Sequence, residues 1–344
     1  MTATSTAPAA AAVTPDRLMA MAHGFWVSQI LASAAHYRFF THISNGASTA
    51  EAVAAAAGTD PAGTRMVLDS LASVDVLRKH DRTYSLAPDA DAFLVEGRPA
   101  DLSAMIADHP MLLWQEWGKL RDALKARPHA AMAEYAENAD AEAFFGKLIR
   151  VIMPLALGPA DAVAEHLGVG TTRKGLRILD VGAGSGAWTM PFARRDGAAE
   201  ITAFDLPHVI KETQRIVDES GLGARYRMQP GDLGRDDFGN ARYDVAVLGN
   251  ICHGLTPEQN LDLLRRLHRA LAPGGVLVIA DMVPNEQRSG PPFPVLFAVN
   301  MYLLTGGDTW PFSTYETWLT ETGFSRPRAF DTHRSHSPVI IADR

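Results

Sequence analysis

The chain has 344 residues and one cysteine, Cys252. It therefore closes no intramolecular disulfide and builds no cysteine-rich metal site, and a reducing compartment suits it. Positive charge is not in excess: 32 Lys and Arg stand against 39 Asp and Glu, a net charge of −7. That balance argues against a general binder of nucleic acid or of an anionic membrane. No apolar run reaches the roughly 18 residues of a transmembrane helix. The opening stretch, "MTATSTAPAAAAVTP", holds no Lys or Arg before Arg17. It lacks the charged region of a secretory signal and reads as a flexible tail over 1–14, so a cytoplasmic location is expected. What is present is ordinary for a globular protein of about two domains: 47% hydrophobic and 21% charged residues.

Residues 16–41 read as one helix, apolar on most sides, with Leu18, Met19, Met21, Phe25, Trp26 and Val27 among its residues. Such a helix needs cover on most sides, which points to a partner subunit and a homodimer. "STAEAVAAAAG" follows, with Ser48 or Thr49 as N-cap and Gly58 as terminator. "DPAGTRMVLDSLASV" has Asp60 as N-cap and Pro61 in the first turn. "VLRKHDRTYSL" reads as strand, turn, strand. Helix, helix and a two-stranded wing is the winged-helix plan, placed at 15–100. The second of these helices offers only Arg65 against Asp60 and Asp69. Without a basic stripe, phosphate binding loses its main driving force. A dimerisation scaffold fits better than a DNA reader. A cofactor-sensing regulator is the competing reading from another class.

Residues 101–168 read as a helical bridge with breaks near Pro128 and Pro154. From 169 to 344 the pattern alternates. "LRILDV", "EITAFDL", "ARYRMQP", "YDVAVLGN" and "GVLVIADMV" read as strands, separated by helical stretches that include "GAWTMPFARR". Helices are predicted over 292–304 and 313–322, and the chain ends in two strands at about 325–331 and 337–342. The predicted class is α/β: a Rossmann-like, doubly wound, mainly parallel sheet with a terminal hairpin at its edge.

"LDVGAGSGAW" places Gly182, Gly184 and Gly186 where a buried strand turns into a helix. Glycine permits the positive φ or the close ligand approach such a turn needs. By spacing alone the motif also fits a dinucleotide fingerprint, so its flanks decide. Asp205, ending the second strand, is placed to accept both ribose hydroxyls of a nucleoside. Asp232, after the third, is placed to accept from an adenine amino group, with Leu233 covering the ring.

With "DVGAGSG", "FDLPHVI", "GDL", "ICHGLTPEQ" and "ALAPGGVLVIAD" in this order, the chain from Leu176 on resembles the class I S-adenosylmethionine-dependent small-molecule O-methyltransferases. That family includes the caffeate and hydroxyindole enzymes, and it carries an N-terminal winged-helix dimerisation domain. The resemblance implies S-adenosyl-L-methionine as cofactor. It implies contacts to it from Gly182, Gly184, Asp205, Leu206, Asp232, Leu233 and the Gly249–Asn250 backbone. It makes His253 the general base that deprotonates an acceptor hydroxyl, and it places an acid, here Asp281, beside that histidine. The chain departs from the family at Gly254 and Leu255, where relatives carry Asp and Trp. A second family glutamate has no aligned counterpart in "GGDTWPFSTYETW"; Asp308 is the nearest acid.

Position supports the same roles. His253 lies just beyond the C-terminal end of the fourth strand, on the rim where such sheets bind ligands. Asp281 ends the neighbouring fifth strand, and adjacent strands run about 4.8 Å apart. Cys252 should turn into the core when His253 faces the cleft. The expected acceptor is a hydroxylated aromatic or polyketide-like small molecule, with Phe297, Asn300, Met301 and Trp114 as candidate contacts. Phe293, Trp310, Met105 and Phe145 are further wall candidates. Methylation at carbon, or a rearrangement on the same scaffold, remains open from sequence. No metal is expected: His333 and His336 lie in a turn away from any acidic cluster.

Overall fold

A computed structural model describes residues 13–125, 141–335 and 337–344. They divide into two compact units, up to Leu112 and from Leu113 on.

The first unit holds α1 (Asp16–Ala22), α2 (Gly24–His36), α3 (Phe39–Ser44), α4 (Ala50–Ala57), α5 (Pro61–Ser73) and α6 (Pro88–Phe93). Between α5 and α6 lies a hairpin of β1 (Leu77–His80) and β2 (Thr83–Leu86). The single helix predicted over 16–41 is three helices. The chain breaks at His23 and again at Arg38, whose φ of 59° is left-handed. The predicted caps form. The Thr49 hydroxyl accepts from Ala52 N–H, Asp60 accepts from Gly63 N–H, and Gly58 closes α4 at φ 68°. The core gathers Phe39, Phe40, Val53, Leu68 and Leu71. Helix α1 buries no residue, and Leu18, Met21, Phe25 and Trp26 are exposed. On α5, Arg65 pairs with Asp69, which also binds Lys79 and the Tyr84 hydroxyl. Among the described residues no single helix is long and apolar enough to cross a membrane. The pair α1 and α2 passes that test only together, bent by 43°.

Helix α7 (Ser103–Gly118) contains the division between the units, and α8 (Leu120–Ala123) follows. Helix α9 (Ala141–His166) runs through Pro154 and Pro159 without the predicted break at Pro154. Its turns beyond both prolines bury Ala160, Val163 and Ala164 against the sheet, and this packing outweighs the proline penalty. Pro128 lies outside the described residues.

The second unit is built on a seven-stranded sheet. Its strands are β3 (Arg177–Val181), β4 (Glu200–Asp205), β5 (Tyr226–Pro230), β6 (Tyr243–Gly249), β7 (Leu271–Ala280), β8 (Ser325–Phe330) and β9 (Val339–Asp343). The order is β5-β4-β3-β6-β7-β9-β8; β9 is antiparallel to both its neighbours, β7 and β8, and alone runs against the direction of the other six. The terminal hairpin is at the edge, and the last strand is the inner one. Alternate residues serve opposite cores. Val245 and Val247 of β6 face one, while Ala246 and Leu248 face the other; Val276 and Val278 against Leu277 and Ile279 repeat this on β7. Both faces are covered, so these strands read as continuous apolar runs. Helices α10 (Met190–Arg195) and α11 (Pro207–Glu219) carry residues of the first core. Helices α12 (Pro257–Ala270) and α14 (Phe312–Glu321) carry residues of the second, and α13 (Pro292–Leu304) lies between them in sequence. The helix predicted from Gly186 starts only at Met190, because the glycine turn occupies the intervening residues.

Candidate active site

Strand order reverses between β3 and β6, which puts the ligand crevice beyond their C-terminal ends. The glycine turn sits there. Gly182, Gly184 and Gly186 have φ of 67°, 52° and 74°. A Cβ on Gly182 would lie 2.2 Å from Ile251 Cδ1. The turn is pinned from β4: Asp205 accepts Gly184 N–H at 2.8 Å with one oxygen and Leu206 N–H at 2.7 Å with the other. Each carboxylate oxygen keeps a second lone pair. Burial raises the Asp205 carboxyl above its usual range, and the two backbone N–H groups pull it back. Asp180, one layer below, is 1% exposed, and burial pushes its carboxyl up to about 7. It accepts the Thr189 hydroxyl at 2.5 Å, and Thr189 in turn meets Tyr226.

On the other side of the turn, β6 ends in Gly249, and Asn250 follows it. A Cβ on Gly249 would fall 2.2 Å from the Trp188 ring. Asn250 adopts φ 60° and donates its N–H to Ala280 O. Asp232 is exposed on the far flank, accepting Gly234 N–H at 2.8 Å, and Leu233 packs partly against the second core.

Past Asn250 the chain makes a 3₁₀ turn over Cys252–Gly254 before the Thr256–Gln259 capping box opens α12. In this turn Cys252 and His253 part. Cys252 is 1% exposed in the second core, and burial drives its thiol up, away from thiolate chemistry. The His253 side chain is 11% exposed, with Nδ1 2.5 Å from Asp281 Oδ1. Asp281 also accepts His253 N–H at 3.0 Å, Met282 N–H at 2.7 Å and the Tyr315 hydroxyl at 3.1 Å. A buried carboxylate so held fixes the imidazole's orientation and, accepting from Nδ1–H, leaves Nε2 with its lone pair. Asp308 is spent elsewhere: its carboxylate binds Arg288 at 2.9 Å, while its N–H ties to His253 O. Residue 254 has room for a side chain, since a Cβ there meets only Thr305 at 3.9 Å.

Helix α13 borders the histidine. The Phe297 ring meets the imidazole edge-on at 5.0 Å, and Phe293 stacks on Phe297. Asn300 and Met301 are buried one turn on, on the same face. Asn300 has a protein partner, because Trp117 Nε1 donates to its Oδ1 at 2.9 Å. Trp114 lies three residues before Trp117 and is 46% exposed. Trp310 donates weakly to Cys252 O, and Phe145 meets the His208 ring at 5.7 Å. Met105 belongs to the other unit. A separate cleft of about 450 Å³, bordered by Leu255, Tyr302 and Trp310, opens toward the opposite face of α13, which carries Ala298 and Val299. Among the described residues no group of three His, Cys, Asp or Glu side chains could hold a metal; His336 lies outside them.

Residues 171–325 match the model of the O-methyltransferase domain, and residues 19–96 match that of the O-methyltransferase dimerisation domain. The chain belongs to the O-methyltransferase family. It is 29% identical over 337 residues to the acetylserotonin O-methyltransferase of Mus musculus, covering 90% of this chain and 84% of that one. It is 27% identical to the tetracenomycin polyketide synthesis 8-O-methyl transferase of Streptomyces glaucescens, covering 91% and 92%. Human N-acetylserotonin methyltransferase, solved with S-adenosylmethionine, shares the fold at a TM-score of 0.83 and 22% identity, covering 97% and 99%. This chain is accordingly an S-adenosylmethionine-dependent methyltransferase. The residues present suit that cofactor. Neither Gly182 in the glycine turn nor Gly249 at the end of β6 has space for a side chain, and Asp205 offers free lone pairs. Two buried nitrogens flanking the turn, Trp188 Nε1 and His208 Nε2, have no protein partner.

Sequence reasoning did not find Tyr315, Trp117 or Trp188. Tyr315 carried no signal, lying 34 residues from the carboxylate it serves. Trp117 is 183 residues from Asn300. Trp188 lies inside the glycine motif, in a stretch whose pattern predicts helix, whereas the helix begins at Met190.

Proposed function

We propose that this methyltransferase transfers a methyl group to a hydroxyl of a flat, apolar aromatic or polyketide-like small molecule, with His253 as general base and Asp281 as its positioning partner. The buried His253–Asp281 pair at the rim of β6 and β7 carries the reading. Bound S-adenosylmethionine supplies an electrophilic methyl on a sulfonium sulfur. Asp205 holds the ribose hydroxyls, Leu206 and the glycine turn at Gly182 and Gly184 flank the nucleoside, Asp232 and Leu233 address the adenine, and the Gly249–Asn250 backbone meets the other end. Asp281 keeps the imidazole proton on Nδ1, so that Nε2 takes the acceptor's proton. A phenol with a pKa of roughly 10 is almost un-ionised at neutral pH, and such a base contributes about 10²–10⁴-fold. Phe297, Met301 and Trp114 line the acceptor, and the Asn300 amide nitrogen, turned away from Trp117, donates to it.

The names of relatives support the acceptor class. One is a 3-hydroxy-5-methyl-1-naphthoate 3-O-methyltransferase from Streptomyces sahachiroi, 24% identical. The same proposal makes residues 15–100 a winged-helix dimerisation domain, 101–168 a helical bridge and 169–344 the catalytic domain. It also covers a homodimer paired through the exposed apolar side of α1 and α2, and a cytoplasmic location. Incubation with methyl-labelled cofactor and a panel of phenols should give a new O–CH₃ signal by NMR. No mass gain on any phenol would refute the acceptor class. One relative favours a second reading: an L-tyrosine C(3)-methyltransferase from Streptomyces lavendulae, 31% identical over 196 residues. A C–CH₃ signal in the same experiment would select it.

A further inference from the structure

Among the described residues, four buried side-chain nitrogens or oxygens lack a hydrogen-bond partner: Trp188 Nε1, His208 Nε2, Tyr243 Oη and Asn260 Oδ1. Trp188 differs from the others in chemistry. An indole has one N–H, donates only, and has no second atom or tautomer with which to compensate. Leaving such a donor buried and unpaired is destabilising, so its retention at a ligand crevice calls for an acceptor.

The sheet register says which part of a ligand lies there. Val181 of β3 pairs with Phe204 on one side and with Leu248 on the other. The next residues, Asp205 and Gly249, therefore flank Gly182 on opposite sides, two strand spacings or about 10 Å apart. A nucleoside held through its hydroxyls at Asp205 sends its far end toward Gly249. The Trp188 ring lies against Gly249: a Cβ at 249 would be 2.2 Å from Cδ1 and 2.7 Å from Nε1. The far end of S-adenosylmethionine is an amino acid, and its carboxylate is the kind of acceptor a lone N–H lacks.

We infer that Trp188 donates its indole N–H to the carboxylate end of the cofactor, and that residue 249 is glycine because the indole fills the place of a side chain. The inference rests on the cofactor placement proposed above. It predicts a selective defect, readable by binding alone. Calorimetry on the full chain would compare S-adenosylhomocysteine with 5′-methylthioadenosine, which keeps the nucleoside and thioether but lacks the amino-acid end. Trp188→Phe should weaken the first by roughly ten- to hundred-fold and leave the second within about twofold. Equal weakening of both ligands, or of neither, overturns the inference while leaving the cofactor placement standing. Failure of the unaltered chain to bind S-adenosylhomocysteine overturns both. Should the phenylalanine substitution prevent folding, benzothienylalanine at position 188, an indole isostere with sulfur in place of N–H, supports the same comparison with the same outcomes.

Discussion

Asp281→Asn isolates the carboxylate's part in the proposed mechanism. Asp281 Oδ1 takes His253 Nδ1 and Met282 N–H, and Oδ2 takes His253 N–H and the Tyr315 hydroxyl. An amide keeps one acceptor oxygen and turns the other into a donor. With the NH₂ at the Oδ2 position, Tyr315 can rotate to accept, but His253 N–H faces a donor. With the NH₂ at the Oδ1 position, Met282 N–H is stranded, and the imidazole must accept at Nδ1 and carry its proton on Nε2. Either placement leaves one buried N–H unpaired, at a cost of about 1–3 kcal/mol. For a unit of this size that lowers Tm by roughly 2–12 °C. Either placement also removes the negative charge that stabilises the imidazolium, and the second blocks Nε2 outright. The rate should fall by up to the whole general-base contribution, about 10²–10⁴-fold. Single-turnover methyl transfer with labelled cofactor reads the rate, and calorimetry with S-adenosylhomocysteine should give an unchanged Kd. A variant with lowered Tm and a rate within about threefold of the unaltered enzyme would make Asp281 a structural acid only and refute the reasoning.

Three further outcomes are expected. Burial holds the Asp180 carboxyl near about 7 in the fold, against about 3.9 when unfolded. Between those values the folded chain keeps a proton the unfolded chain has lost, so this residue's contribution falls as pH rises from about 4 to about 7, by about 4 kcal/mol. Asp180→Asn keeps an acceptor for Thr189 and should flatten that slope in urea melts; parallel curves for the two proteins would count against it. Gly249→Ala drives a methyl into the Trp188 ring; it should cost about 1–3 kcal/mol in thermal melts and weaken cofactor binding, and a neutral melt would show that the ring yields. Trp26→Glu, made together with Met21→Glu on the exposed side of α1 and α2, should convert the proposed dimer to monomer by light scattering, and an unchanged mass would move the interface elsewhere.

Much of the catalytic unit was legible because its signals are local. The β6 and β7 runs are apolar through Val245–Leu248 and Val276–Ala280, since both sheet faces are covered there, and in the first unit the Asp60 cap sits one residue before its helix. The glycines were readable because a strand-to-helix turn demands their φ. The break at Arg38 was not legible, since no Gly or Pro marks its left-handed residue, and the break at His23 is marked only by Gly24, which a helix tolerates. Pro154 misled in the other direction, because the tertiary contacts that hold α9 together across it are invisible in sequence. At the site, His253 and Asp281 followed from strand ends and a resemblance, and Asp281 reaches His253 Nδ1 with glycine at position 254. Tyr315 behind the acid and Trp117 behind Asn300 depend on packing between distant segments, and no periodicity encodes them.

The general-base assignment of His253 is tested most directly by single-turnover rates of His253→Ala across a series of phenols that share one skeleton and differ in pKa. The expected result is a loss of about 10²–10⁴-fold for a phenol of pKa roughly 10, shrinking toward unaltered rates as the acceptor becomes ionised at the assay pH. A loss that stays the same across the series would show that His253 positions or packs, and that the proton leaves by another route.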